Sequence, residues 1–134
     1  MTRFVIDAPS LLQLVRGGHP VHPAHRLVAP NSIRSQALDL LLQEVRSGEL
    51  TERAALDLHE RMTEVKMRLL GDRVSRRTAW QIAREHDWDT IGQAEYLAVT
   101  RLQADALITA DAELAAHATG IVPVAKLADL FTGP

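Results

Sequence analysis

Two short apolar runs, each ending at an aspartate, constrain this chain more than any other feature: Phe4-Val5-Ile6 closes at Asp7, and Ala106-Leu107-Ile108-Thr109 closes at Ala110-Asp111. Such runs are too short for a helix and too uniformly apolar for a half-solvated strand. They fit strands of a parallel sheet covered on both faces. Leu27-Val28-Ala29, closed by Pro30, and Ile121-Val122-Pro123-Val124 have the same character.

The intervening segments have helical periodicity. Pro9 stands where a first turn tolerates it, Leu11, Leu12, Leu14 and Val15 follow, and Gly17-Gly18 stops the helix. Over Ile33–Ser47, Leu38, Leu41, Leu42 and Val45 fall on one face ahead of Gly48. Over Glu52–Leu70, behind a Thr51 cap, Ala55, Leu58, Met62, Val65 and Leu69 keep alternating steps of three and four. A helix over Ser75–His86 turns Ala79, Ile82 and Ala83 inward, and another, capped by Asp89 or Thr90, carries Ala94, Leu97 and Ala98. A short helix runs through His117, and Leu127–Phe131 forms a terminal one. Strands alternating with helices predict an α/β fold, a three-layer α/β/α sandwich around a central, mostly parallel sheet. The length, 134 residues, suits one domain over 1–134.

Composition narrows the chemistry. With no cysteine, disulfides and Cys-based zinc sites are excluded. Fifteen basic against seventeen acidic residues give a net charge of −2, so nucleic acid would have to be met through a local patch or a metal ion. No apolar run approaches membrane-spanning length, and the N-terminus enters a strand without a signal-peptide core; both predict a cytoplasmic protein with no membrane partner.

In an open parallel sheet, ligands gather beyond the carboxyl ends of the strands, where strand order reverses. Asp7 and Asp111 end two strands from opposite ends of the chain. Each also suits the cap of the helix that follows it. Brought into one cleft they would repel each other, and a hard divalent cation relieves that repulsion.

The series Phe4-Val5-Ile6-Asp7, Ala29-Pro30 before a long helix, and Ala94-Glu95-Tyr96-Leu97-Ala98 leading into Leu107-Ile108-Thr109-Ala110-Asp111 resembles the landmarks of PIN domains, in particular the VapC-type toxins. It covers nearly the whole chain. The resemblance implies a PIN-like fold and a Mg²⁺- or Mn²⁺-dependent endoribonuclease, the toxin of a toxin–antitoxin pair. It further implies a homodimer, an RNA substrate and a cognate antitoxin that reaches into the site with a basic side chain. Asp7 and Asp111 would be the metal ligands and core catalytic residues. The family's acid on the helix after Ala-Pro falls at Gln36, and its Asp ahead of the landmark tyrosine falls at Gln93. With Thr109, these amides are expected to line the pocket or meet the RNA. A glutamine carbonyl is a weaker Mg²⁺ partner than a carboxylate. Asp89 and Glu95 are the candidate substitutes, against the plainer readings of an N-cap and a solvated charge.

Two rival readings stand beside this one. A PIN-like binding or regulatory protein would keep the fold with a weakened or inactive metal site. A receiver-type signalling domain shares the doubly wound sheet, and Lys126 follows the last strand. Against it, Asp7 is followed by Ala8-Pro9, and no acceptor aspartate follows the third strand.

Three further features are ambiguous. His19, His22 and His25 share a proline-containing loop and are either transition-metal ligands or solvent-facing residues. Arg73, Arg76 and Arg77 either track an RNA backbone or solvate a helix start. The helical stretches Ile33–Ser47 and Glu52–Leu70 carry more apolar surface than one small domain covers, which suits a partner interface.

Overall fold

The computed structural model describes residues 1–133. In chain order they form β1 (Thr2–Ile6), α1 (Ala8–Gly17), β2 (His25–Pro30), α2 (Ile33–Arg46), α3 (Glu52–Thr63) and β3 (Arg68–Leu70). α4 (Arg73–Glu85), α5 (Gly92–Gln103), β4 (Ala106–Ile108), α6 (Ala112–Ala118) and β5 (Val124–Ala125) follow, then a 3-10 helix at Leu127–Phe131. The strands make one parallel sheet in the order β3-β2-β1-β4-β5. β1 is its centre: Phe4 pairs with Leu27 and Ala106, and Val5 with Val28 and Leu107. Phe4-Val5-Ile6, Leu27-Val28-Ala29 and Leu107-Ile108 thus lie side by side and are buried as a set, whereas Val124 of the edge strand β5 is exposed. From β1 the chain winds outward through β2 and β3, then returns to the other side of β1 for β4 and β5. The strand order therefore switches between β1 and β4.

α1, α2 and α3 pack on one another, while α4 packs on α5 and α5 lies against β1, β2 and β4. α1 shows how local sequence sets these helices. Asp7 caps its start, Pro9 occupies its first turn, and Gly18, at φ 69°, returns its N–H to the Leu14 carbonyl. Leu97 of α5 is fully buried where that helix meets the sheet. Leu97→Ala should cost about 2–5 kcal/mol, read as a lower urea midpoint at unchanged slope.

The structure corrects four readings of the sequence. The helix expected over Glu52–Leu70 ends at Thr63, and Arg68–Leu70 forms β3 instead. Val65 and Leu69 satisfy a helical period, but the outer edge of β2 also needs hydrogen-bond partners, and β3 supplies them, with Arg68, Leu69 and Leu70 opposite Val28, Ala29 and Pro30. α2 buries Ile33, Ala37 and Leu41, leaving Leu38 and Leu42 exposed. α5 starts at Gly92 with Ile91 at its cap position, rather than being capped by Asp89 or Thr90. The last strand is shifted to Val124–Ala125, because Ile121 and Val122 return their N–H groups to Ala118 and prolong the turn around Gly120, which has φ 81°. Among the described residues no helix is long and apolar enough to cross a membrane.

Candidate active site

Asp7 follows the last residue of β1, and its N–H donates to the Ile108 carbonyl at the end of β4, 3.2 Å away. Asp111 lies three residues after the end of β4 and directly precedes α6. Both strand-terminal aspartates line one cleft of about 360 Å³ at the carboxyl edge of the sheet, beside the switch in strand order. The walls come from α2 (Gln36, Asp39), the approach to α5 and its first turns (Thr90, Gln93, Tyr96), and the start of α6 (Leu114).

Thr109 ties the two aspartates together. Its hydroxyl donates to Asp7 Oδ2 and accepts the Asp111 N–H at 3.0 Å. Asp7 is only 2% exposed, and its Oδ1 accepts the Ser10 N–H at 3.0 Å, capping α1. Asp111 Oδ1 accepts the N–H groups of Glu113 and Leu114, capping α6. Capping and cleft-lining are therefore both true of each residue. Each carboxylate sits at a helix N-terminus, whose partial positive charge attracts an anion and offsets the crowding of the two. Because capping uses one oxygen, Asp111 Oδ2 stays without a protein hydrogen bond among the described residues.

The amides are held in place. Tyr96 donates its hydroxyl to Gln36 Oε1, and His117 Nδ1 lies 2.6 Å from Gln93 Oε1. Burial, and after it the negative charges of Asp7 and Glu95, push the Tyr96 hydroxyl well above its ordinary pKa. It therefore acts as a fixed donor, and proton abstraction by Tyr96 is excluded near neutral pH. His117 is fixed from its other side by Trp88, whose ring stacks on it at 4.6 Å, and Trp88 in turn meets His86 at 5.1 Å.

Asp89 and Glu95 do not join the cleft. With α5 starting at Gly92, Asp89 precedes the helix and does not share a face with Gln93. Glu95 lies two residues past Gln93, which turns it to another side of α5. The carboxylate that does join is Asp39, three residues after Gln36 and on the same face of α2. That spacing was visible in the sequence, but leucines on every side of this helix hid which face would turn to the cleft.

A divalent cation fits this donor set in a limited way. Hard oxygens are present in the Asp7 and Asp111 carboxylates and the Gln36 and Gln93 carbonyls. Among the described residues, no three His, Asp or Glu side chains come together closely enough to enclose an ion. Mg²⁺ commonly binds one or two carboxylates and keeps several waters, and the pair meets that need.

A larger cavity, about 820 Å³, lies at the opposite end of the sheet between α1, β2 and the segment after α3. It is lined by His19, His22 and His25, of which His25 lies in β2 rather than in the loop expected for all three. His25 opens β2, is 5% exposed, packs edge-on against Phe4, and binds the Thr132 carbonyl through Nε2 at 2.6 Å. His22 Nδ1 accepts the Ala24 N–H at 3.0 Å.

No protein-family model and no curated protein matches this chain. Solved structures do. PAE2754 from Pyrobaculum aerophilum is similar with a TM-score of 0.72 at 21% identity, over 97% of this chain and 93% of that one. VapC20 from Mycobacterium tuberculosis, a sarcin–ricin loop cleaving toxin, is similar with a TM-score of 0.63 at 20% identity, over 90% of this chain and 98% of that one. At such identities the common property is the fold, a PIN-like five-stranded parallel sheet with six helices.

Proposed function

We propose that this PIN-fold protein is a VapC-type toxin, an endoribonuclease dependent on Mg²⁺ or Mn²⁺ and attenuated by two amides in its acidic site. One observation carries the reading: aspartates from the two ends of the chain are joined through Thr109 in a single cleft at the carboxyl edge. Helix capping accounts for each carboxylate singly but does not require the two to meet in one cleft, and their mutual repulsion opposes it.

Asp7 and Asp111 would hold the cation, with Gln36 and Gln93 offering neutral carbonyl oxygens. A divalent cation bound there supplies Lewis-acid stabilisation to a phosphodiester and its leaving oxygen. The chain's own part is positioning. Thr109 fixes the separation of the two aspartates, Tyr96 and His117 hold the amides, and Asp39 adds negative charge on the α2 wall. The same reading includes a cytoplasmic setting, a homodimer and an antitoxin. The exposed Leu38 and Leu42 of α2 and Leu56 of α3 offer apolar surface for such protein partners.

The direct test incubates the purified protein with structured and single-stranded RNAs, a sarcin–ricin loop hairpin among them, with Mn²⁺, with Mg²⁺ or with chelator. Discrete internal cuts that need the divalent ion are expected. Intact RNA under every metal condition would overturn the enzymatic reading and favour the PIN-like binding protein, which needs only the fold and a partner groove.

A further inference from the structure

α4 presents an exposed face rich in arginine. At 3.6 residues per turn, Arg73, Arg76, Arg77, Trp80 and Arg84 fall within an arc of about 100°. All five are exposed, Trp80 at 61%. The opposite face, Ser75, Ala79, Ile82 and Ala83, is buried against the rest of the fold. Among the described residues the ion pairs are Arg16–Glu44 and Arg61–Asp57, so none of the four α4 arginines is neutralised by a carboxylate within 4.0 Å. Four of the chain's fifteen Lys and Arg residues are thus gathered around one exposed indole in a protein of net charge −2.

The helix starts at the same edge of the sheet as the cleft, and its far end leads toward the cleft through a series of rings. α4 begins three residues after β3 ends, at the carboxyl edge of the sheet, where Gly71 approaches Asn31 so closely that an added Cβ would lie 2.2 Å from Asn31 Nδ2. Asp72 caps the helix; the Ser75 hydroxyl and N–H bound to its carboxylate hold its pKa below the ordinary value. Beyond Glu85, the ring series His86–Trp88–His117 leads to Gln93 inside the cleft.

We propose that the α4 face is the platform on which single-stranded RNA lies as it enters the cleft, with Trp80 stacking a base and Arg76, Arg77 and Arg84 contacting phosphates. The proposal rests on RNA being the substrate of the Asp7–Asp111 cleft. Its logic is complementarity. Arginine heads spaced along one stripe match a phosphate chain, while a solvent-facing indole offers a π-face to any base. Apolar partner helices need a hydrophobic stripe, and this face has arginines in place of one.

The test measures binding of a labelled single-stranded RNA by fluorescence anisotropy on an Asp7→Asn background, in chelator, so that cleavage does not enter. Trp80→Ala should weaken binding about tenfold or more with little change in salt dependence, since stacking releases no counterions. The triple variant Arg76→Gln/Arg77→Gln/Arg84→Gln should lower the slope of log affinity against log salt by about 2, at roughly 0.7 per phosphate contact. Arg3→Gln/Arg26→Gln/Arg61→Gln removes equal charge from the rim of the opposite cavity and should leave affinity within about twofold.

Affinities for the Trp80→Ala and α4 triple variants within about twofold of the parent would overturn the proposal. So would an equal loss in the opposite-end control. Conversion of a dimer to a monomer by Trp80→Ala, read by sedimentation, would assign the face to a protein interface instead. A protein that binds RNA in this way yet never cleaves it would sink the nuclease reading and leave the platform standing.

Discussion

Asp7→Asn should lower metal-dependent RNA cleavage at least about a hundredfold while leaving the fold nearly as stable as the parent. The loss follows from charge. A divalent cation stabilising a phosphodiester transition state supplies several kcal/mol, and Asp7 is the more buried of the two carboxylates that would hold it. The folded state tolerates the change for geometric reasons. Asparagine caps helices as well as aspartate does, so its side-chain carbonyl can still accept the Ser10 N–H. Its amide nitrogen would stand where Asp7 Oδ2 now accepts the Thr109 hydroxyl, and that hydroxyl can turn to accept instead. Single-turnover cleavage in saturating Mn²⁺, paired with urea unfolding, separates the two effects. Parental cleavage by a folded Asp7→Asn protein would remove the catalytic reading.

The parts of this design that were legible in the sequence are those dictated by local chemistry. Phe4-Val5-Ile6 and Leu107-Ile108 can bury both faces only in the middle of a parallel sheet, so their aspartates had to emerge at its carboxyl edge. Pro9 and Gly18 marked the limits of α1 because each satisfies a backbone requirement few residues meet. What escaped depends on contacts made elsewhere in the fold. Residues 64–70 keep a helical pattern, yet the unpaired edge of β2 takes up Arg68–Leu70 as β3. α2 has leucines at 38, 40, 41 and 42, enough for several inward faces, and packing on α1 and α3 selected Ile33, Ala37 and Leu41. That choice turned Asp39 toward the cleft. The substitute Asp89 was inferred from a helix cap placed one or two residues too early, and with Ile91 at the cap Asp89 falls outside α5. Glu95 needed a long reach from another side of that helix. The arginine cluster at 73–77 was visible as charge. Its continuation through Trp80 and Arg84 became apparent only once the buried side of α4 was known.

Gln93→Asp should tighten Mn²⁺ binding by about tenfold, measured by titration calorimetry, because affinity in oxygen-ligand sites follows the number of negative ligands. Gln93 lines the same cleft as Asp7 and Asp111, so a carboxylate there adds charge where two anions already sit. Without metal the added anion is repulsive and should lower Tm. With Mn²⁺ the repulsion is relieved, so the Mn²⁺-induced rise in Tm should exceed that of the parent. His117 complicates the substitution, since its Nδ1 now lies 2.6 Å from Gln93 Oε1 and would bind the new carboxylate as readily as an ion does. Two companion variants resolve this. Gln93→Glu keeps the reach of the native side chain, which aspartate shortens by one methylene. Gln93→Asp/His117→Asn removes the competing ring while leaving a neutral polar group beside Trp88. If His117 withholds the carboxylate, the double variant should bind Mn²⁺ more tightly than Gln93→Asp alone. If aspartate is too short, Gln93→Glu should show the gain instead. Unchanged Mn²⁺ affinity in all three variants would mean that position 93 does not face the ion, and that the attenuation attributed to its amide has another source.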